Sequence, residues 1–326
     1  MKRLPNIKLL KEIIKYYFNE VEGILGVAIC DRDGFIIASE TTLENEEESD
    51  AIIGALSAML DTYIDRIKAE FGTTDHFFNI TTTGDKKFAF SSKGSNSILT
   101  TVTDQSTTDI ELKVYSEHVA SKIELVLDGN EDVSPKIPEI IKALSQTRVG
   151  QLPNLEGEYS NKLILTGNFK VGKTSLVRRF VENRFEEDYI STLGVQISQK
   201  TVNLSENVKI NFIIWDIGGQ QHLNLNRTNF YNGANAAMIV VDRTRPDPLK
   251  SIEKWFNEIK KSILYNIPIV IVGNKSDLIE EIVITEEEIK KIAKKLGFHY
   301  IFTSALTGEN VNDAFLYIAY RVVETL

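Results

Sequence analysis

Two glycines five residues apart, followed at once by lysine and threonine, constrain this chain more than any other feature. Gly167-Asn168-Phe169-Lys170-Val171-Gly172-Lys173-Thr174 fits the pattern G-x-x-x-x-G-K-[ST], with the apolar run Leu163-Ile164-Leu165 just before it and a helix-like stretch, Ser175 to Phe185, just after. The order is strand, loop, helix. Gly167 ends the strand, and the loop curls so that successive backbone N–H groups point inward, where the positive end of the following helix adds its partial charge. A phosphate chain fits such a cradle without a large side chain. Lys173 then reaches the β- and γ-phosphates as a point charge, the Thr174 hydroxyl is one ligand of an octahedral Mg²⁺ that keeps several waters, and Ser175 serves the α-phosphate.

Three later motifs follow in an order that suits the same pocket. Lys209 to Trp215 reads as an apolar strand ending in Asp216-Ile217-Gly218-Gly219-Gln220. At the carboxyl end of its strand Asp216 is placed to hold the Mg²⁺ through a water, and Gly219 has no side chain to keep its N–H from the γ-phosphate. By itself D-x-x-G also marks an ordinary turn. Ile267 to Val272, a run of β-branched residues, leads to Gly273-Asn274-Lys275-Ser276-Asp277. A carboxylate at Asp277 accepts from N1–H and the 2-amino group of guanine, whereas adenine offers neither and leaves it partly unpaired. The Lys275 stem covers the base plane, and Asn274 ties the base loop to the phosphate loop. Finally Tyr300-Ile301-Phe302 leads to Thr303-Ser304-Ala305-Leu306, whose amides can meet the guanine O6.

With these motifs, residues 161–326 resemble a small GTPase of the Ras superfamily, nearest the Rab branch. The resemblance implies an α/β P-loop NTPase fold: a mostly parallel sheet with helices on both faces, binding GTP or GDP with Mg²⁺ and hydrolysing GTP slowly. Tyr189 to Gly194 resembles the first switch, in which Thr192 closes over Mg²⁺ and the γ-phosphate. Trp215 to Gln220 resembles the start of the second switch, and Asn229 to Ala234 its end. Gln220 matches the catalytic glutamine that orients the attacking water. The implied catalytic set is Gln220, Lys173, Thr192 and Gly219, and the implied metal set Thr174, Thr192 and Asp216. Effectors, an exchange factor and an activator are the implied partners.

Two departures bear on turnover. Phe169 and Lys170 stand where many family members carry small residues, which brings a bulky ring close to the γ-phosphate and Gln220. No arginine lies between Arg184 and Thr192, so the finger that some relatives supply in cis is not visible. The expected unassisted rate is on the order of 10⁻⁴ to 10⁻² s⁻¹. A non-cycling scaffold that holds guanine nucleotide, with Phe169 blocking turnover, is the alternative reading.

The 326 residues, 42% hydrophobic, leave room for a second core. Residues 129–160, with Pro135, Pro138 and Pro153, read as a connector carrying a short helix around Glu139 to Ser145. Residues 1–128 read as helix (Ile7 to Val21), strand pair (Ile24 to Cys30, Phe35 to Ala38) around the turn Asp31-Arg32-Asp33-Gly34, and a broad helical stripe from Ala51 to Ile67 closed before Gly72. Strands follow at Phe77 to Thr82, Lys87 to Ser91 and Ser97 to Thr103, then a helix from Asp109 to Leu127. This order, with the segment Gly26 to Ser39, resembles the smaller α/β Roadblock/LC7 fold over roughly residues 6–128, although profilin-like and longin-like domains carry similar hairpins. The resemblance implies a sheet that pairs with a second copy, giving a homodimer that docks or regulates small GTPases; a dimerisation module without catalytic influence is the plainer form. No nucleophile, metal cluster or phosphate loop is visible in that half.

Charge separates the halves. Residues 1–128 carry 13 Lys plus Arg against 22 Asp plus Glu, a net of −9, which is the formal charge of the whole chain. Such a surface repels nucleic acid and anionic lipid. The acidic run Glu44 to Glu48 reads as a solvated loop or a docking patch for a basic partner. Cys30, the single cysteine, sits on a strand and reads as a small core residue; the histidines at 76, 118, 222 and 299 show no ligand spacing. Neither Met1-Lys2-Arg3-Leu4 nor the C-terminal Arg321 to Leu326 carries a targeting or lipidation signal, and no apolar run has the length to span a bilayer. The expectation is a cytoplasmic protein without a direct membrane anchor, recruited to membranes through a partner.

Overall fold

The computed structural model describes residues 5–31, 33–42, 54, 77–94, 97–146, 156–186, 192, 194–204, 207–219 and 229–325. The expected helix from Ala51 to Ile67 apart from Gly54, its cap at Gly72, the acidic run Glu44 to Glu48, and Pro153 lie outside them. The chain divides into two units, Met1–Ile141 and Lys142–Leu326.

In the first unit, helix α1 (Ile7–Glu20) starts at Asn6, whose side chain accepts the Leu9 N–H at 3.1 Å. Its buried residues Leu9, Leu10, Ile13, Ile14 and Tyr17 recur at helical spacing and form one face. Strands β1 (Ile24–Cys30) and β2 (Ile36–Thr41) form a hairpin whose turn is held by Asp31, which accepts from the Asp33 and Phe35 amides at 3.0 and 2.8 Å. Gly34 there has φ 86°, a conformation glycine adopts without steric cost. With β3 (Phe77–Thr83), β4 (Lys86–Ser92) and β5 (Ile98–Thr103) they make an antiparallel sheet in the order β2-β1-β5-β4-β3.

Helix α2 (Asp109–Leu127) is opened by a reciprocal cap between Thr108 and Glu111, and it packs on β3, β4, β5 and α1. Between the helices the Tyr17 hydroxyl lies 2.9 Å from Ser116 Oγ, and the Tyr17 and Tyr115 rings stack. Cys30 is buried. Lys122 is also buried: its ammonium donates to the carbonyls of Ser134 and Lys136, each at 2.6 Å, and ties the chain that follows α2 back onto the helix. The short helix α3 (Glu139–Ser145) comes next.

In the second unit five parallel strands, β6 (Gly157–Gly167), β8 (Val208–Ile217), β9 (Ala236–Asp242), β10 (Ile269–Asn274) and β11 (His299–Phe302), join one antiparallel edge strand, β7 (Val195–Asn203). The order is β11-β10-β9-β6-β8-β7. Every residue of β9 and β10 is buried, as expected where helices cover both faces of a parallel sheet. Helix α4 (Lys173–Glu182) packs on α7 (Val311–Val323), where the Phe180 and Phe315 rings stack at 3.8 Å. Helix α5 (Pro248–Ser262) packs on α6 (Glu286–Leu296), and Trp255, Ile259, Ile289 and Ile292 share a core with Ile164, Ile239 and Ile271.

Two of the boundaries that differ from expectation do so for clear local reasons. The helix after the phosphate loop stops at Glu182 and does not reach Phe185, because Asn183 takes a left-handed conformation at φ 54° and caps it. Strand β6 begins at Gly157, inside the expected connector, because backbone pairing with β8 from Gly157↔Val208 onward carries the polar residues Glu158, Ser160 and Asn161 into the sheet.

Burial pushes the Tyr17 hydroxyl up to about 12, against hydrogen bonds to Ser116 and Thr101 that favour ionisation. Folding therefore keeps a proton that the unfolded chain releases near pH 10. The contribution is complete below pH 10 and is lost as the pH rises through 12. Tyr17→Phe is expected to cost about 1 kcal/mol near neutrality through the lost Ser116 bond. In denaturant titrations the wild type should then lose about 1 kcal/mol more than the variant between roughly pH 9 and 11. Equal alkaline losses would contradict this.

Candidate functional site

The four motifs converge on one edge of the second sheet because each follows the carboxyl end of a parallel strand. Gly167 closes β6 at φ 150°, where a Cβ would strike the Val240 carbonyl, and Val171 is buried. The next glycine, Gly172, has φ 95°, and a Cβ there would run into the Asn274 side-chain amide. Lys173 is buried; its ammonium donates to the Gly167 and Asn168 carbonyls at 2.9 and 3.0 Å, so the lysine braces the loop that carries it. Lys170, at the loop apex, has φ 65°.

Thr174, Thr192 and Asp216 come together although they are far apart in sequence. The two threonine hydroxyls lie 2.9 Å apart, and both donate to Asp216 Oδ2, Thr192 at 3.4 Å and Thr174 more closely. Asp216 Oδ1 is buried with no hydrogen-bond partner among the described residues. Burial pushes the Asp216 carboxyl above the usual carboxylate range, against the hydrogen bond from Thr174, the Lys173 charge and the hydrogen bond from Thr192. A buried carboxylate in this position is costly until a cation offsets it. Two hydroxyls and a carboxylate are oxygen donors of the kind Mg²⁺ takes, so the residues fit that ion. Gly219 lies against the phosphate loop: a Cβ there would sit 2.5 Å from the Gly167 carbonyl and 2.7 Å from the Phe169 nitrogen. Gln220, Tyr189, Ile190, Ser191 and Leu193 lie outside the described residues.

At the other end, Asn274 joins three segments. Its Nδ2 donates to the Val171 carbonyl at 2.9 Å, while its Oδ1 accepts from Thr303 Oγ1 and from the Ala305 amide, each at 3.2 Å. Ser304 Oγ donates to Asp277 Oδ1 at 2.6 Å and orients that carboxylate. Lys275, at φ 70°, pairs with Asp242 at 2.6 Å. Burial alone would push the Asp242 carboxyl up, but hydrogen bonds from Lys275 and Thr244 more than offset it and hold it below the usual range.

A cavity of about 460 Å³ runs between the two ends. Phe169, Lys170, Gly172 to Ser175, Thr192, Gly219, Asn274, Lys275, Asp277, Ala305 and Leu306 line it. Further lining residues carried no sequence signal. Phe185 lies two residues past the Asn183 cap, and Arg178 is ion-paired with Glu186 at 2.7 Å. Three more supports were equally silent. Trp255 Nε1 donates to Asn168 Oδ1 at 3.0 Å; Arg179 donates to the Ala305 carbonyl at 2.9 Å and to the Leu306 carbonyl; Arg243 stacks on the Phe302 ring at 3.9 Å and donates to Ser276 Oγ. Each is a long side chain acting across the fold, so no local pattern betrays it.

The sequence model of the Ras family matches residues 162–324. The chain belongs to the Ras family. Its C-terminal half is similar to the Ras-related protein Rab5 of Nicotiana tabacum, 39% identical over 161 residues that make up 49% of this chain and 80% of the relative. It is also 36% identical over 171 residues, 52% of this chain and 78% of the relative, to the Ras-related protein YPT3 of Nicotiana plumbaginifolia. The GTP-binding protein ypt1 of Schizosaccharomyces pombe is 34% identical over 173 residues, 53% of this chain and 85% of the relative. As a member of the Ras family this chain is a GTPase that works with GTP or GDP and Mg²⁺. The family match leaves residues 1–161 uncovered.

The close approach at Gly219 generates a test within this Ras-family site. Because the atoms facing its absent Cβ are backbone, Gly219→Ala must push residue 219 off the phosphate loop. Single-turnover GTP hydrolysis should fall by about tenfold or more, as for loss of an aligned donor. Affinity for GDP, which lacks the γ-phosphate, should stay within about threefold, a change of well under 1 kcal/mol. Unchanged hydrolysis would remove Gly219 from the reacting end.

Proposed function

We propose that the second unit is a Rab-like switch in which the residues read from the sequence carry the roles assigned there. The backbone from Gly167 to Gly172 cradles the phosphates, Lys173 meets the β- and γ-oxygens, and Ser175 serves the α-phosphate. Thr174, Thr192 and, through a water, Asp216 hold Mg²⁺, which when bound neutralises charge that develops on the transferring phosphate. Asp277 reads the guanine edge, Lys275 covers the base, and Asn274 with Ser304 to Leu306 keeps the base loop in place. Gln220 orients a water that attacks the γ-phosphorus as the bond to the β-phosphate oxygen breaks, leaving GDP and phosphate. Loss of the γ-phosphate releases the segments around Thr192 and Gly219, and effectors, an exchange factor and an activator read the difference.

The observation that carries this reading is the buried, unpartnered Asp216 Oδ1 beside two hydroxyls and the lysine-bearing loop, with the Asn274–Asp277 segment at the far end of the same cavity. Phe169 lines the cavity, and the rate of hydrolysis separates the switch from the scaffold alternative, in which Phe169 blocks turnover. Calorimetry is expected to give GTP uptake at least a hundredfold tighter than ATP uptake, because ATP strands the Asp277 carboxylate at a cost of about 3 kcal/mol. Wild-type single-turnover hydrolysis on the order of 10⁻⁴ to 10⁻² s⁻¹ should drop about tenfold or more in Gln220→Leu. Equal uptake of ATP and GTP would end the reading.

For residues 1–128 we propose a Roadblock-like module that makes a homodimer and docks or regulates the switch, with residues 129–160 as connector and 161–326 as the GTPase domain. The five-stranded antiparallel sheet with helices α1 and α2 packed on it supports this, as does the edge strand β3, whose outer half is exposed. No helix among the described residues is long and apolar enough to cross a membrane, in keeping with a cytoplasmic protein brought to membranes by a partner. Sedimentation of the full chain at micromolar concentration should return twice the chain mass. A monomer at the highest soluble concentration would refute the dimer.

A further inference from the structure

Arg245, just past the end of β9, makes an ion pair and a hydrogen bond at once. Its Nε pairs with Asp242 Oδ2 at 3.2 Å, and its Nη1 donates to the Phe169 carbonyl at 2.7 Å. Asp242 is a firm anchor: its side chain is 1% exposed, its Oδ1 accepts from the Thr244 amide and hydroxyl at 3.0 and 2.7 Å, and its Oδ2 also holds Lys275. A guanidinium is planar and presents its donors in a fixed fork, so one end fixed on a buried carboxylate aims the other.

What that second end grips matters. Phe169 and Lys170 line the cavity, and the Arg245 that holds the Phe169 carbonyl is not among the lining residues. No peptide bond among the described residues is cis, and in a trans peptide the N–H points opposite to the carbonyl. The Lys170 N–H is thereby turned away from Arg245. Lys170 itself sits at φ 65°, where a side chain costs about 1 kcal/mol or more, so this peptide needs an outside hold to keep its direction.

Resting on the nucleotide-binding reading above, we propose that Arg245 is a positioning residue for phosphoryl transfer: held by Asp242, it fixes the Phe169–Lys170 peptide so that the Lys170 amide faces the terminal phosphates of GTP. Arg245 stands outside the residues that line the cavity. It acts through one backbone donor, and it links that donor to the base-covering Lys275 through their shared carboxylate.

The test compares Arg245→Ala and Arg245→Lys with wild type in the full chain. Both variants should hydrolyse GTP about tenfold more slowly in a single turnover, a fraction of the hundredfold or more seen when such a donor is removed outright. GDP affinity should stay within about threefold. Arg245→Lys keeps a charge beside Asp242 and so guards against a folding defect, but an ammonium cannot bond the carboxylate and the carbonyl as a planar fork does. In ³¹P spectra of a bound non-hydrolysable GTP analogue, the β and γ resonances should move while the α resonance stays. Normal hydrolysis in either variant overturns the proposal, as does a parallel loss of GTP affinity, GDP affinity and melting temperature, the mark of a merely structural role. If the wild type fails to bind GTP, the nucleotide-binding reading falls and this proposal with it; if the wild type binds and turns over while the variants match it, only the proposal falls.

Discussion

Parallel register is the constraint on which the second unit depends. Leu165 of β6 lies beside Asp216 of β8, Gly167 beside Val240 of β9, Asn274 of β10 beside Asp242, and Gly273 beside Phe302 of β11. Because neighbouring strands run the same way, the segment that leaves each one emerges at a common edge, and motifs more than a hundred residues apart become neighbours. A shift of one residue in any pairing would turn a strand's side chains to the opposite face. It would bury what now faces the cavity. The uninterrupted burial of β9 and β10 opposes such a slip, since every residue of both strands is already committed to the core.

That edge is polar, and several of its groups satisfy one another. Asn274 does so in three directions, and Asp242 accepts from Thr244 on one oxygen and pairs with the Lys275 and Arg245 charges on the other. Asp216 Oδ1 and Asp242 Oδ2 are both buried without a hydrogen-bond partner among the described residues, but Asp242 Oδ2 lies 2.6 Å from the Lys275 ammonium, whereas Asp216 Oδ1 stands beside two hydroxyls. An unpaired buried acceptor costs on the order of 1–3 kcal/mol, more when charged. An open acceptor beside two hydroxyls is an oxygen set of the kind Mg²⁺ takes.

The extent to which this was legible in the sequence follows from the range of each interaction. Contiguous patterns read well: helix α2 spans Asp109–Leu127 as its periodicity and the Thr108–Glu111 cap dictate, β1 spans Ile24–Cys30, and the short helix Glu139–Ser145 stands where its apolar spacing puts it. Glycine positions carried chemistry as well, since Gly167, Gly172 and Gly219 each face an atom that leaves no room for a Cβ. Hidden from sequence were the supports that cross the fold. Trp255 reads as an ordinary core residue, and its indole N–H finds Asn168 only after α5 has docked. Lys122 looks like a solvated helix residue, yet it is buried on two carbonyls. Phe185 read as helix because nothing in the pattern separates Asn183 as a residue of that helix from Asn183 as its left-handed cap.

Strain and support coincide at both ends of the cavity. Lys170 in the phosphate loop and Lys275 in the base loop each adopt a positive φ that side chains rarely take, at 65° and 70°. Two such residues cost a few kcal/mol together at most, a sizeable part of the stability of a small domain. Such conformations persist only where their surroundings leave no alternative. One buried carboxylate takes part at both: Asp242 pairs with Lys275 directly and with Arg245, which in turn grips the carbonyl just before Lys170. The two strained residues are thus fixed to the same point at the end of β9, so the spacing between the phosphate end and the base end is set by the sheet and not by the loops themselves.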